Sequence, residues 1–527
     1  MRTLSGAALI VSLAGLPASA DESRRDQELA VRKALEEFKA AMQEARGLPE
    51  KAQALRKLGE FQPRDAALVP PIARYLAPGS GDLHHVLPLV AVETLEKFRG
   101  VGAASQALMA ALPAYRKNPY LYARLVTAIG RVGHELALSL FEEATRGKDA
   151  EAAAQAVWAV ASFPPPTAAE WLLREADRLE KARDKGGDDA RRVADRVLPE
   201  IVKALRKVTG EPYTTLMEMR IWWQKRGADF KARAKEPPPE APAESNAKEP
   251  APTRPPDSLP PVLLVELLFR ENGGTATANT GCSSSHYPAA SIVGAKLPWS
   301  GTTPPNGGPA ALDWNSAGGP FSADIGSAGG IEHLKNLKSL TIAGWINCRS
   351  EREIPGDKAA PAGNRLVTWL NHGRDGVELV HRADGSLQLG INQWAADSKA
   401  TSGPGRIPVL DEKAQDLNQA LNANWRFFAV TYDSTASSGH VKFYFGSSNA
   451  DAKLEAAVDY PRGPVGSRIG QTFSVGNVNL PTRSLAPDRS FKGLIDEVRV
   501  FGSAFDGSGA LTLPEIIRLQ DRQRARN

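Results

Sequence analysis

The sequence predicts a multidomain chain, an all-α helical solenoid followed by an all-β sandwich. Three observations predict it. Apolar residues recur at helical spacing up to about residue 235, a run rich in proline follows, and apolar and polar residues then alternate with a period of two between glycine turns. With 527 residues the chain exceeds what one ordinary core organises. A 42% hydrophobic and 24% charged composition is that of globular protein. The net charge of +5 comes from 65 basic and 60 acidic residues spread over the chain, with no basic stripe of the kind that binds nucleic acid.

Residues 1–20 read as a secretory signal peptide. Arg2 gives the positive start, Ala7 to Leu16 an apolar stretch too short to span a bilayer, and Ala18-Ser19-Ala20 a small-residue cleavage pattern. The expected mature chain therefore begins at Asp21, is exported (periplasmic, cell-surface or extracellular), and has no membrane span. Export permits a disulfide. The two cysteines, Cys282 and Cys348, are expected to pair, closing a loop of roughly 65 residues worth about 4 kcal/mol on the chain-entropy picture; two buried free thiols are the alternative.

Residues 21–235 form the predicted solenoid. Leu29, Val31, Ala34, Leu35 and Phe38 mark a first amphipathic helix, and breaks follow at Gly47-Leu48-Pro49, Pro78-Gly79, Gly100 and Lys117-Asn118-Pro119. An internal echo supports stacked helix pairs. Leu125 to Gly130 then Leu136 to Phe141 is repeated about thirty residues on by Ala156 to Ala161 then Ala168 to Leu173, each a small-residue helix before a bulkier one. The pattern resembles degenerate HEAT repeats, closed by Val208 to Pro212 and the Trp222-Trp223 segment, and the resemblance implies a protein-docking scaffold. His84 and His85 sit at a predicted helix start, where adjacent side chains diverge and chelate poorly. Residues 236–261, dominated by proline, alanine and glutamate, read as a coreless linker able to reach roughly 80 Å when extended, which would hold the second module away from the first.

Residues 262–527 carry the predicted strands: Val262 to Phe269, Ser339 to Asn347, Arg365 to Leu370, Gly376 to His381, Ser386 to Ile391, Trp425 to Tyr432, Val441 to Phe445 and Lys492 to Phe501, with a short C-terminal helix beyond Ala510. Trp345, Trp369 and Trp425 fall inside strands and are expected in the core. Three segments carry a resemblance: Leu340 to Ile346; Trp425 to Asp433 with Val441 to Tyr444; and Phe491 to Phe501 with Glu515-Ile516. Their order resembles the laminin-G-like jelly roll of the concanavalin A-like superfamily. That likeness implies binding of a glycan or protein, often beside a structural calcium ion; some relatives of the fold are polysaccharide hydrolases or lyases.

Asp496 is the candidate metal ligand. Strand alternation places it on one face with Leu494, Val498 and Val500, where a carboxylate needs a cation or several donors. Calcium suits oxygen ligands, and in the resembled family the matching aspartate holds it with the start of the domain, here Glu271 and Asn272. Hydrogen bonding without metal is the alternative. The stretch Gly476 to Pro481 lacks the acidic loop by which pentraxin relatives capture ligands through calcium. No Glu-x-Asp-x-x-Glu glycosidase pattern is present, and Glu351-Arg352-Glu353 reads as surface charge. No catalytic residue is therefore expected. Trp299, Trp314 and Trp394 lie in turn-rich segments where they can stack on sugar rings, with Asp375 and Asn392 as hydroxyl partners; core packing is the competing assignment for each.

Overall fold

A computed structural model describes residues 20–79, 82–233, 258–294, 299–300, 310–314, 321–326, 330–348, 364–382, 384–403, 425–468, 472–477 and 490–524. Residues 1–19, most of the proline-rich run and Glu351-Arg352-Glu353 lie outside them.

The first half is helical: Ala20–Glu44 (α1), Leu48–Glu60 (α2), Val69–Ala73 (α3), Val86–Leu95 (α4), Gly102–Ala111 (α5), Pro119–Val132 (α6), Leu138–Arg146 (α7), Ala150–Val160 (α8), Pro165–Lys185 (α9), Asp188–Thr209 (α10) and Leu216–Arg233 (α11). The expected breaks are helix boundaries. Gly47 and Asn118 are N-caps, and the Asn118 side chain accepts from Leu121 N at 3.2 Å. Asp149 caps α8 in the same way, through Glu151 N and Ala152 N. Helices α2, α4, α6, α8 and α10 each contact the next of this set. Small residues set their approach: a Cβ on Gly59 of α2 would collide with Thr94 of α4, and one on Gly130 of α6 with the backbone of Ala159 in α8. At the far end Phe230 of α11 packs edge to face against Trp222 and Trp223.

The second half is a two-sheet antiparallel β-sandwich. Its strands are Val262–Leu267 (β1), Ala276–Ala278 (β2), Ala289–Val293 (β3), Trp299–Ser300 (β4), Ala311–Asp313 (β5), Ser322–Ile325 (β6), Ser339–Cys348 (β7), Asn364–Thr368 (β8), Val377–His381 (β9), Leu387–Ile391 (β10), Arg426–Asp433 (β11), Val441–Ser447 (β12), Lys453–Val458 (β13), Phe473–Val475 (β14) and Gly493–Ser503 (β15), with helix α12 at Leu513–Arg524. One sheet runs β13-β12-β11-β7-β15-β5-β4 with β1 also on β15; the other runs β10-β9-β8-β14-β6-β3-β2. Every strand predicted from alternation is present. The short strands β2 to β6, and β13 and β14, were not anticipated: runs of two to six residues offer too few positions for alternation to register.

Leu340, Ile342, Phe428, Val430, Val498 and Val500 point between the sheets toward Leu366, Trp369, Leu379, Leu389 and Phe473. The opposite face of the larger sheet is buried as well, because Leu511, Ile516 and Leu519 cover Trp345, Phe427, Ala429 and Tyr444. All ten residues of β7 are consequently buried. Gln520 anchors α12: its Oε1 accepts from Ala452 N at 2.7 Å, and its Nε2 donates to Ser447 O and Ala450 O. Trp345, Trp369 and Trp425 are core residues, as expected.

The halves are not held apart. Apolar burial is continuous from the helices into the sandwich. The last residues of the predicted linker are pinned at the junction: Arg56 donates to Ser258 O, Tyr120 to Pro261 O at 3.4 Å, and Leu259 N to Asp506 at 3.0 Å. Asn118 reaches across to Cys282 O at 3.3 Å. The composition of the linker gives no sign of this docking, since contacts made by its final residues depend on surfaces far away in sequence.

Candidate functional site

Asp375, Asn392 and Trp394, separate in sequence, meet at one end of the β8-β9-β10 edge. The turn from Asn371 to Gly376 brings Asp375, and the segment after β10 brings Asn392 and Trp394. Asn392 has a left-handed backbone (φ 54°) and is the knot of this end. Its Oδ1 accepts from Gly376 N at 3.1 Å and Gly466 N at 2.8 Å, and its Nδ2 donates to Pro464 O at 2.8 Å. The Asn392 amide is thus spent on positioning three loop segments. Trp394 is half-buried, resting on Gly373, where any Cβ would strike the indole; the Arg365 guanidinium lies 5.7 Å from its ring centre. Asp375 packs against Gly466, and its backbone carbonyl accepts from Asn371 N at 2.7 Å. Exposed His372 and Arg374 flank the group. Sequence reading missed both, because an exposed turn residue has no pattern until its neighbours are placed. The result is an aromatic face with a cationic edge on a hydrogen-bonded loop frame, suited to stacking and anion contacts.

The other two tryptophans lie elsewhere. Trp314 is a core residue, 6% exposed, stacked on Phe321 at 4.3 Å with its Nε1 donating to Phe321 O at 3.0 Å. It is not an exposed stacking platform. Trp299 stands on β4, and its indole donates to Gly274 O at 2.9 Å, beside the turn that carries Glu271 and Asn272.

The expected face of Asp496 is corrected by a β-bulge. Register breaks between Asp496 and Arg499, and Glu497 takes φ 53°. The break falls where the neighbour of β15 changes from β5, at Leu494 and Ile495, to β1, from Val498 onward. Val498 and Val500 therefore join Ile495 in the inter-sheet core, while Asp496 lies opposite Trp345 on the face of Leu494. Buried Glu497 receives Arg270 at 2.9 Å and Arg499 at 2.8 Å, and Arg499 also holds Glu266 at 2.7 Å. Burial raises the Glu497 pKa, but Arg499 and then Arg270 outweigh it and hold the carboxyl below its ordinary range. Glu271 Oε1 accepts from Ala278 N at 2.8 Å, and Asn272 occupies a left-handed turn. An oxygen set of Asp496, Glu271 and Asn272 is chemically suited to calcium. Arginines, however, supply the positive charge beside Glu497. Among the described residues no three His, Cys, Asp or Glu side chains converge as metal ligands.

The expected disulfide is absent: Cys282 and Cys348 are both free and buried. Cys282 faces the helical half, its Sγ 3.8 Å from Leu83 O, whereas the Cys348 sulfur lies 3.6 Å from His381 Nε2 within the sandwich. Burial raises both thiol pKa values, so neither is a ready nucleophile.

Neither a family model nor a curated protein sequence matches the chain. Solved structures titled "Crystal Structure of the Botulinum Neurotoxin serotype G binding domain" and "Botulinum Neurotoxin Type G Receptor Binding Domain" are similar to part of it, with TM-scores of 0.29 and 0.26 and 12% identity in each case. Each match covers 50% of this chain and 51% of the other, so this chain spans about half the length of those structures. By its own topology the chain is a helical array joined to a two-sheet antiparallel sandwich. No helix among the described residues is long and apolar enough to cross a membrane.

Proposed function

We propose that this is an exported, non-enzymatic binding protein. Its sandwich recognises a glycan or protein at the Trp394 loop cluster, and its helical half serves as scaffold or as the docking surface for a second partner. The observation that carries the reading is the half-buried Trp394, flanked by exposed His372 and Arg374 on loops that Asn392 locks together. A preorganised aromatic platform loses little entropy when a ring stacks on it. The succession of contacts from α2 to α10 supports the HEAT-like reading of the helices, and the strand order supports the laminin-G-like reading of the sandwich. The alternative is a polysaccharide hydrolase or lyase, and the hydrolase form needs two carboxylates free for acid and base work. The half-buried Glu266 and the buried Glu378 and Glu497 are instead engaged by Arg499, Arg365 and Arg270.

A glycan-array screen of the full chain, with calcium and again with chelator, tests the proposal. Binding that Trp394→Ala reduces at least tenfold, without loss of stability, supports it. Hydrolysis of an arrayed polysaccharide would establish the enzyme reading, and absence of any ligand would leave a structural envelope role. A structural calcium ion at Asp496, Glu271 and Asn272 belongs to the same proposal, and the chelator arm decides it.

A further inference from the structure

Four of the eight histidines gather where the helices meet the sandwich. His84 and His85 end the segment before α4, with His85 in a left-handed conformation (φ 52°). His286 follows the short turn at Cys282–Ser285, and His333 lies in the turn Glu332–Leu334 before β7. The His84 and His333 rings stack at 6.0 Å, His286 lies 5.6 Å from His333, and His84 Nε2 is 3.0 Å from His333 O. His333 is 1% exposed, and neither of its ring nitrogens has a hydrogen-bond partner.

The surroundings offer little to a charged ring. From the helical side come Asp82, whose two oxygens are taken by Val86 N and Leu87 N, and Tyr115, edge-on to His85 with its hydroxyl donating to Leu76 O. From the sandwich come the buried Cys282 thiol, Tyr287 donating to Gly330 O, the Glu332–Lys335 ion pair and the Phe505 ring against His84.

We propose that this four-histidine junction is an acid-released latch: with neutral rings the helical half docks on the sandwich, and protonation parts the two while each stays folded. A proton on His333 would place a cation in a desolvated site against the buried His84 ring, with the exposed His286 ring beside it. Of the other junction bonds, those from Arg56, Tyr120 and Asn118 involve groups that do not titrate in mild acid. Despite burial, the Asp506 carboxyl that accepts from Leu259 N is held below its ordinary range by the bonds from Ser508, Leu259 and Ser503.

The sign follows from burial. Burial, then His84, His286 and His85, lowers His333 to about 3, against about 6.5 in solvent. His84 is lowered by burial despite its bond to His333 and the Asp82 charge, and His85 by burial despite Asp82. The parted state therefore binds more protons between these values. Docking is fully favoured above about pH 6.5 and weakens as pH falls. At pH 4.5 His333 alone moves the docking equilibrium about 100-fold toward release, and His84 and His85 add in the same direction.

The test is small-angle scattering of the full chain from pH 8 to 4.5, with far-UV circular dichroism and thiol labelling by a pyridyl disulfide read by mass spectrometry at each cysteine. The expected result is a reversible increase in radius of gyration below pH 6.5. Cys282 becomes reactive while Cys348, inside the sandwich, stays protected and the dichroism is retained. His333→Phe and His84→Gln each move the midpoint down by at least half a pH unit. Unchanged dimensions to pH 4.5, release only together with loss of helical signal, or variants that release at the wild-type pH would overturn the latch. If His333→Phe does not fold, His84→Gln decides alone.

Discussion

The two halves handle charge in opposite ways. The helical half lays most of its ion pairs on the surface, such as Lys148–Asp189 with the lysine 84% exposed and Arg174–Glu142 with the arginine 65% exposed. The sandwich buries most of its described pairs: Arg365 and Glu378 are each 2% exposed, and Glu497 with Arg499 are 1% and 10% exposed. Solvent screens the first kind, so the helices depend on their apolar stripes and on small residues at close crossings. The second kind has already lost its hydration, so each partner is indispensable to the other although the pair as a whole adds little net stability.

The largest effect expected from this contrast is at Arg499. Arg499→Met removes one of the two arginines on buried Glu497 and the ion-pair partner of Glu266, and should destabilise the sandwich by about 3–5 kcal/mol in urea unfolding. A loss under about 1 kcal/mol would mean that Arg270 alone compensates Glu497 or that the carboxyl takes up a proton. Next comes the close helix crossing: Gly130→Val forces α6 away from Ala159 and should cost about 1–3 kcal/mol, read from the helical signal. A similar loss is expected for Gln520→Ala, about 1–3 kcal/mol, because it leaves Ala452 N without its acceptor.

Acid sharpens the comparison within one molecule. Because the folded Glu497 carboxyl lies below its unfolded pKa of about 4.3, its contribution is fully present above that value and is lost as pH falls through the lower folded one. Thermal unfolding of the sandwich should therefore lose stability below about pH 4.3, and Glu497→Gln should flatten that decline. The smallest effect belongs to the exposed pairs: Lys148→Ala should change helical stability by less than about 0.5 kcal/mol, and added salt should erase even that.

What the sequence discloses follows the range of the interactions involved. Helix breaks at Gly47 and Asn118, strand alternation and the core tryptophans are local patterns and were legible. The facing of Asp496 was not, because one extra residue at Glu497 inverts the alternation and its cause is a change of neighbouring strand more than 200 residues away. Trp314 was a stacking candidate from its glycine-rich context with core packing as the other assignment, and Phe321 and Phe491 enclose it in the core. The loop cluster was half legible: Asp375, Asn392 and Trp394 were singled out one by one, but only the folded turns show that Asn392 is a fastener and that His372 and Arg374 complete the face. The histidine junction left no trace, since His84 and His333 are 249 positions apart.

The helix laid over the outer face of the larger sheet bears on how the chain is made. The middle of that sheet needs β1 and β7 to wait for β15, and its aromatic surface stays wet until α12 arrives. During synthesis, long-range pairing of this kind completes late. The sandwich should therefore pass through a stage at which Trp345, Phe427 and Tyr444 are open to other chains, until the last residues of α12 are made.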